Sequence, residues 1–233
     1  MAITTTCIGA WPKPGYVPRM AWFHDHAQVG GGSADGLDEA QTLALFDRAT
    51  REAVAEQADL GIDIPTDGEI RRANYIHYHC SHLAGFELET LTERTMRNGA
   101  WTDRVPTFCG PVRAGAPFLV RDWQVAQSAT DRPVKITVPG PLTISDSTAN
   151  LHYPDTRAWC ADLADALNVE IRRLAEAGCR HIQVDEPLFA RLPEQALDYG
   201  VENLERCFHG VPEGVTRTMH MCCGYPDKLD ETD

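Results

Sequence analysis

The sequence predicts an α/β fold in which parallel strands alternate with helices, as in an eight-stranded (β/α) barrel. Three observations favour this class. Short apolar runs alternate with long amphipathic runs, and polar clusters follow the strand-like runs. The 233 residues contain 43% hydrophobic and 24% charged residues, which is ordinary for one globular domain. Because roughly six of the eight repeats can be counted, we expect a single barrel domain over residues 1–233 that lacks about the last two strands.

Apolar spacing, together with the positions of glycine and proline, defines the expected elements. A helix over 37–60 has apolar residues at helical spacing and ends at Gly61. A second helix over 155–177 has one apolar face and is capped by Gly178. Region 70–130 shows only a strand near 107–113 and an excursion around 118–127. The other expected elements are strands at 4–8, 62–65, 134–138, 181–185 and 215–222, and a helix near 193–208.

Composition excludes several classes of function. The net charge of −13 argues against a nucleic-acid partner, because phosphate binding needs clustered lysine and arginine. No apolar run approaches the roughly 20 residues that span a bilayer, so no membrane partner is expected. The first residues lack the charged and apolar regions of a signal peptide, and the eight cysteines have no framework spacing. We therefore expect a cytoplasmic protein with free thiols.

His220 and Cys222 are the best candidates for metal ligands. Residues i and i+2 of a strand share a face, so an imidazole and a thiolate would lie side by side. Both groups are ligand types that zinc prefers. The alternative is a core histidine beside a buried thiol, and Cys223 would face the other way. Zinc needs further ligands, but only residues 223–233 follow Cys222.

Other motifs are weaker candidates for a functional site. His24-Asp25-His26 has metal-like spacing in a loop, and residues 75–82 combine three histidines with a cysteine. In an acidic protein, Arg71 and Arg72 are the best candidates for binding an anion. The alternative for these two arginines is ion pairing with nearby carboxylates.

Polar clusters end four of the expected strands, at 66–69, 139–143, 185–187 and 220–222. In a parallel barrel the carboxyl ends of the strands meet at one rim, where active sites are assembled. Asp185 and Glu186 are adjacent on a strand, so they cannot both face inward. One of them is expected to face the site, while the other caps a helix or pairs with an arginine.

These motifs resemble the catalytic domain of the cobalamin-independent methionine synthases and their shorter relatives, zinc-dependent enzymes that transfer a methyl or alkyl group to a thiol. Ile-Gln-Val-Asp-Glu-Pro at 182–187 followed by His-Met-Cys at 220–222 is the most specific part. The resembling segments lie in family order and cover almost the whole chain: 5–9, 67–75, 139–144, 182–187 and 220–222.

The resemblance implies a TIM barrel with His220 and Cys222 as zinc ligands on strand six. The family's remaining zinc ligands and its proton-donating histidine would lie beyond residue 233. The chain thus resembles a truncated member, not expected to be active alone, whose catalytic proton donor is unidentified. Its small-molecule partners would be a thiol acceptor and a methyl donor. The resemblance implies that four residues bind the amino-acid thiol, with two carboxylates on its ammonium group: Ile8, Gly9, Glu69 and Asp185.

Two departures from the family pattern affect the substrates. Ala10 replaces a serine that would contact the substrate carboxylate, and Ser147 replaces a tryptophan that would stack on folate. Methylation of homocysteine to methionine is therefore one expectation, and alkylation of another thiol such as coenzyme M is an alternative. A metal-free enzyme resembling uroporphyrinogen decarboxylase would need anion-binding arginines such as Arg71, Arg72 and Arg113. A non-catalytic fragment is the remaining alternative.

Overall fold

Strands and helices alternate along most of the chain. The computed structural model describes residues 3–18, 20–21, 28–29, 36–96 and 101–222. The strands in chain order are β1 (Met20–Ala21), β2 (Gln28–Val29), β3 (Leu83–Met96), β4 (Trp101–Ala114), β5 (Lys135–Pro139), β6 (Ala149–Asn150), β7 (His181–Asp185) and β8 (Thr216–His220). The helices are α1 (Glu39–Asp59), α2 (Tyr75–Cys80), α3 (Leu119–Gln127), α4 (Pro141–Ser147), α5 (Thr156–Ala177), α6 (Pro193–Gln195) and α7 (Val201–Cys207).

A parallel sheet of β5, β7 and β8, paired in that order, forms the centre of the described residues. Its register runs from Lys135 opposite His181 to Pro139 opposite Asp185, and Asp185 in turn lies opposite His220. The three carboxyl ends therefore lie at one edge. This confirms the predicted parallel strands at 134–138 and 181–185, and it shortens the one predicted at 215–222 to β8.

Two single bridges extend the sheet beyond β5. Thr66 makes a parallel bridge to Lys135, and Thr6 makes one to Ile64. The strands predicted at 4–8 and 62–65 are thus reduced to these bridges. Among the described residues the sheet does not close into a barrel, and its two outermost strands are the Thr6 segment and β8. Closure into eight strands therefore stays a prediction.

The two faces of the sheet differ in polarity. Ile136, Val138, Ile182 and Val184 are fully buried in the main hydrophobic core. The same core contains the predicted apolar face of α5, which ends at Gly178 in the left-handed conformation, with φ of 114°. Since side chains alternate along a strand, the opposite face of β5 and β7 carries polar residues toward the candidate site.

Helix α1 confirms the helix predicted over 37–60. Asp38 accepts a hydrogen bond from the Gln41 amide, and the Gln41 side chain accepts one from the Asp38 amide, which completes a capping box. Phe46, Ala49 and Ala53 pack into a smaller core with Val17 and Ile70. The helix thereby anchors the segment that carries Glu69.

Region 70–130 contains a long antiparallel hairpin, which the sequence did not predict beyond a strand near 107–113. β3 pairs with β4, and β4 also pairs in parallel with the short β6. Register shifts interrupt the hairpin at Ala84/Phe86 and Glu87/Leu91, so the period-two pattern is broken. The excursion expected around 118–127 is the helix α3.

The helix predicted near 193–208 is interrupted. A π turn at Ala196–Gly200 separates α6 from α7. A Cβ atom at Gly200 would lie 2.9 Å from the Phe189 ring, so the close packing of this ring requires glycine there. None of the helices in the described ranges is long and apolar enough to cross a bilayer.

Candidate active site at the carboxyl ends of the parallel strands

The predicted site residues Glu69, Asp185, His220 and Cys222 lie at the same edge of the sheet. Asp185 is in register with His220, and Glu69 follows the Thr66 bridge to β5. Tyr75 lies close to these residues. Burial raises the pKa of its hydroxyl, and nearby negative charges raise that pKa further. Those charges belong to the carboxylates of Asp185, Glu69 and Glu186. Tyr75 is therefore a site residue that sequence reasoning did not single out.

Glu69 is held in an unusual backbone conformation. Its φ of 52° is the only positive value among the described non-glycine residues, and such strain often accompanies a functional site. Glu69 Oε1 accepts a hydrogen bond of 3.0 Å from the Thr137 hydroxyl. Across the described residues, Oε2 accepts no hydrogen bond. One carboxylate oxygen is thus fixed by the protein, and the other is available to a ligand.

Arg72 fixes the loop that carries Glu69. It donates to Asp67 Oδ2 at 2.9 Å and to the Thr137 hydroxyl at 2.8 Å, and its Nη1 lies 3.5 Å from Glu69 Oε1. The Arg72 side chain is fully enclosed, and the opposite charges of Asp67 and Glu69 raise its pKa against the lowering effect of burial. The guanidinium is therefore committed to protein carboxylates.

Arg71 is committed in the same way. It pairs with Asp47, and its Nε lies 3.1 Å from Asp122 Oδ1. The interpretation of Arg71 and Arg72 as an anion site is wrong, because both guanidiniums are buried in ion pairs. Arg113 is largely exposed beside Asp162. These three arginines give no support to a decarboxylase-like pocket for several carboxylates.

Asp185 belongs to a hydrogen-bonded row on the polar face. Lys135 Nζ donates to Gln183 Oε1 at 2.7 Å, and Gln183 Nε2 donates to Asp185 Oδ1 at 2.6 Å. In the described part of the chain, Asp185 Oδ2 accepts no hydrogen bond. Burial raises the pKa of Asp185 to about 7, and the charge of Glu69 also raises it, while Gln183, Arg72 and Lys135 act in the opposite direction.

Glu186 has a structural task. Its carboxylate accepts from the Leu142 amide at 2.9 Å, and from the Thr143 amide and hydroxyl at 3.0 and 2.7 Å. It thus caps the amino end of α4. A Cβ atom at Gly140 would lie 2.2 Å from Glu186 Oε1, so the cap needs glycine there. The alternative left open by the sequence is resolved, since Glu186 caps a helix while Asp185 faces the site.

His220 is the last residue of β8, and Cys222 lies two residues beyond it. The side chains of Thr218, His220 and Cys222 are partly buried, whereas Met219 and Met221 between them are 36% and 51% exposed. This alternation is the one predicted for a strand. An imidazole and a thiol on one face suit zinc. Over the described ranges, however, no three His, Cys, Asp or Glu residues form a group that could hold a metal ion.

Ile8 and Gly9 follow the Thr6 bridge. Ile8 is 58% exposed, and Gly9 adopts a φ of 77° that favours glycine. Burial raises the pKa of the neighbouring Cys7 thiol, and the nearby positive charge of Lys135 lowers it. The chain therefore passes close to the hydrogen-bonded row, but contact of Ile8 and Gly9 with a substrate stays a prediction.

Within the part of the chain that the structure describes, the other predicted motifs form no metal-binding group. His24-Asp25-His26 and Cys223 lie outside the described residues. Within residues 75–82, His79 and Cys80 are fully buried in α2, where burial lowers the pKa of His79 and raises that of Cys80. His79 Nδ1 lies 2.6 Å from the Tyr75 carbonyl oxygen. Both are core groups.

Three further polar residues of the site escaped sequence reasoning: Lys135, Thr137 and Gln183. They alternate with fully buried aliphatic residues in β5 and β7. This alternation was the available signal, because polar residues at every second position of a central strand indicate a polar interior.

Comparisons with known proteins show which family the chain is similar to. The profile of the family described as "Cobalamin-independent synthase, Catalytic domain" matches residues 2–230. A methionine synthase of Sulfolobus acidocaldarius is 30% identical over 226 residues, which cover 95% of this chain and 62% of that protein. A methionine synthase of Saccharolobus solfataricus is 31% identical over 224 residues, covering 95% and 63%.

Solved structures are similar over the same extent. A B12-independent methionine synthase from Shewanella sp. W3-18-1, in complex with selenomethionine, has a TM-score of 0.83 and 29% identity over 95% of this chain and 62% of its own. A protein from Listeria monocytogenes, at 20% identity and a TM-score of 0.67, has a similar fold over 82% of this chain and 58% of its own. The chain spans less than two thirds of the length of these four proteins. It belongs to the family of cobalamin-independent methionine synthase catalytic domains.

Proposed function

We propose that this protein acts in the transfer of a methyl group to the thiol of homocysteine, which gives methionine. One observation carries the proposal. Glu69 Oε2 and Asp185 Oδ2 accept no hydrogen bond among the described residues, and they lie at the edge where β8 ends at His220 and the chain continues to Cys222. Two carboxylate oxygens beside metal-type ligands suit a molecule that carries both an ammonium group and sulfur.

Each group of the site has a role in this proposal. Glu69 and Asp185 bind the ammonium group of the amino acid, and Ile8 and Gly9 line the same site. Arg72 and Gln183 hold one oxygen of each carboxylate, so that the other oxygen is presented in a fixed direction. The Shewanella methionine synthase was solved in complex with selenomethionine, which supports an amino-acid ligand of this type.

His220 and Cys222 would hold a zinc ion together with ligands from outside the described residues. Zinc, when bound, makes a coordinating thiol lose its proton at neutral pH and so become a nucleophile. The alternating burial of residues 218–222 supports an arrangement in which the two side chains present their nitrogen and sulfur on the same side of the chain. The carboxylates at the ammonium end would align the acceptor thiol with this face.

The wider context follows the family. We propose that residues 1–233 belong to one domain and that the parallel sheet is part of an eight-stranded (β/α) barrel. The methyl donor is a folate or another small molecule. Donors other than folate are included because Ser147 on α4 offers no ring for a pterin to stack on. We place the reaction in the cytoplasm, with no nucleic-acid or membrane partner.

Zinc binding tests the metal part of the proposal. His220→Ala and Cys222→Ala should each lower the zinc retained per chain after dialysis, because two ligands of the ion lie at these positions. Metal analysis by mass spectrometry gives the readout. Cys109→Ala is the matched control, since Cys109 is a partly buried cysteine on the hairpin strand β4. Equal zinc retention in all three variants would contradict the assignment.

Ligand binding tests the amino-acid part. Calorimetry should detect methionine binding, and 4-(methylsulfanyl)butanoate, which lacks the ammonium group, should bind at least about tenfold more weakly, as expected for a lost charged hydrogen bond. Equal binding of the two ligands would contradict the role of Glu69 and Asp185. Absence of both zinc and methionine binding would favour a non-catalytic protein.

A further inference from the structure

The hydrogen-bonded row that ends at Asp185 begins deep in the polar interior. Lys135 starts β5, and its ammonium group reaches Gln183 on β7 at 2.7 Å. Gln183 in turn reaches Asp185 at 2.6 Å. All three residues are buried, and Gln183 and Asp185 share the inner face of β7. The row therefore connects a buried cation to one of the two carboxylates of the site.

The chemistry of Lys135 fixes the direction of these bonds. An ammonium group can only donate, so Gln183 must present its oxygen to Lys135. The Gln183 NH₂ group then has to face Asp185. A glutamine without such a neighbour could turn its amide by half a turn and present the oxygen to Asp185, which would repel the carboxylate.

Arg72 does not orient Asp185. Its hydrogen bonds go to Asp67, Glu69 and Thr137. In the described residues, the Gln183 amide is the group that donates to the Asp185 carboxylate. The direction of the Gln183 amide therefore decides how Asp185 is held.

We propose that Lys135 is a positioning residue for the amino-acid ligand. It commits the Gln183 amide to donate to Asp185 Oδ1, and this leaves Asp185 Oδ2 directed at the ligand ammonium group. The inference rests on the proposed function, because it takes the ligand to be an amino acid. It adds a residue that lies at the start of β5, whereas the carboxylates lie at the carboxyl ends of the strands.

If Lys135 only stabilised the fold, its substitution would have a different effect on ligand binding. Removing it would then lower stability and weaken all ligands alike. A positioning role predicts a selective loss, confined to ligands with an ammonium group. The pair of methionine and 4-(methylsulfanyl)butanoate separates the two roles, since these molecules share the thioether and the carboxylate.

Calorimetry on three variants supplies the test. Lys135→Met should weaken methionine binding by about tenfold, the usual order for a misaligned charged hydrogen bond, and should change the binding of 4-(methylsulfanyl)butanoate by less than about twofold. Lys135→Gln should act in the same direction but less strongly, because its amide can face Gln183 in either sense. Should Lys135→Met fail to fold, which thermal melting detects, Lys135→Gln still decides.

Gln127→Met is the matched control. Gln127 also uses both ends of its amide, which bonds to the carbonyls of Thr130 and Arg132 and to the Val134 amide, before β5 begins. Its replacement should lower the melting temperature and leave the ratio of the two affinities unchanged. An equal loss for both ligands in the Lys135 variants would overturn the positioning role.

A ligand-free measurement tests the row independently. The side-chain NH₂ signal of Gln183, assigned in a ¹H–¹⁵N spectrum from its loss in Gln183→Met, should exchange slowly with water in the wild type. It should exchange faster in Lys135→Met. If the wild type bound neither ligand, the proposed function would fail, and this spectrum would still decide the row. Unchanged exchange would overturn the inference.

Discussion

At the scale of single residues, the two carboxylates of the site are prepared by different partners. One carboxylate oxygen of Glu69 accepts hydrogen bonds from Thr137 and Arg72, and one carboxylate oxygen of Asp185 accepts a hydrogen bond from Gln183. Burial raises the pKa of Asp185 to about 7, so its charge is easily lost near neutral pH unless a cation binds. A ligand ammonium group would supply that cation.

Replacement of Asp185 measures its share in binding. Asp185→Asn keeps the shape but removes the charge, so methionine should bind about tenfold to a hundredfold more weakly, as for a lost charge-assisted hydrogen bond. Titration calorimetry at pH 8 gives the readout. Asp131→Asn, at an exposed loop position, is the control and should bind methionine as the wild type does. Unchanged affinity in Asp185→Asn would contradict the role.

The raised pKa of Glu186 predicts how the stability of the protein changes with pH. Burial raises its pKa from 4.5 to about 7, so the folded state holds the proton more tightly than the unfolded state. This contribution to stability is fully present below about pH 4 and is lost as pH rises through 7. Glu186→Gln should therefore flatten the fall in melting temperature between pH 5 and 8. Glu176→Gln, at an exposed position of α5, should leave that slope unchanged.

Sequence reasoning was most effective for residues with specific chemistry. It predicted that Glu69, Asp185, His220 and Cys222 lie at one edge, because each follows an apolar strand. It did not predict the partners that orient the carboxylates. Gln183 and Lys135 are common residue types, and only the register of β5 against β7 brings them together.

At the scale of elements, α4 depends on the loop before it. Gly140 gives the Glu186 carboxylate room to reach the first amides of the helix. Pro141 starts the helix, where its missing N–H costs nothing. The element is therefore specified by contacts from β7 as well as by its own sequence.

Gly140→Ala tests this dependence. The added Cβ would displace Glu186 and leave its buried carboxylate without the α4 amides, which should lower the free energy of unfolding by about 1–3 kcal/mol. Gly15→Ala is the control, because a Cβ there meets nothing within 4 Å. Urea unfolding should distinguish the two, and equal stability would show that Glu186 can move without cost.

Elements with strong periodicity were the predictable part of the fold. α1, α5, β5 and β7 appear close to their predicted bounds, because each has a regular apolar face and a glycine or proline at its end. The hairpin of β3 and β4 was missed, since its bulges break the alternation. The π turn in the 193–207 helix depends on packing against Phe189, which local sequence does not encode.

At the scale of the whole molecule, Arg72 links segments that are far apart in the chain. It joins the loop after Thr66 to β5 through Thr137. Arg72→Met would remove the guanidinium that is hydrogen-bonded to the buried carboxylates of Asp67 and Glu69 and would leave only the charge of Lys13 near them, which should lower the free energy of unfolding by about 3–5 kcal/mol.

Chemical denaturation of Arg72→Met should be compared with that of Arg172→Met. Arg172 lies on the surface of α5, where its ion pair with Glu176 contributes little. We expect the surface variant to stay within about 0.5 kcal/mol of the wild type. Similar unfolding midpoints for the two variants would mean that the buried ion pairs are not a main source of stability.

The excess of acids over bases around the site has a practical consequence for handling this protein. Four acidic side chains, Asp67, Glu69, Asp185 and Glu186, outnumber the three cationic ones in this region: Lys13, Arg72 and Lys135. Such a cleft collects small cations from solution. Amine buffers and ammonium salts should then compete with the amino acid, so affinities measured in Tris will appear weaker than those measured in phosphate.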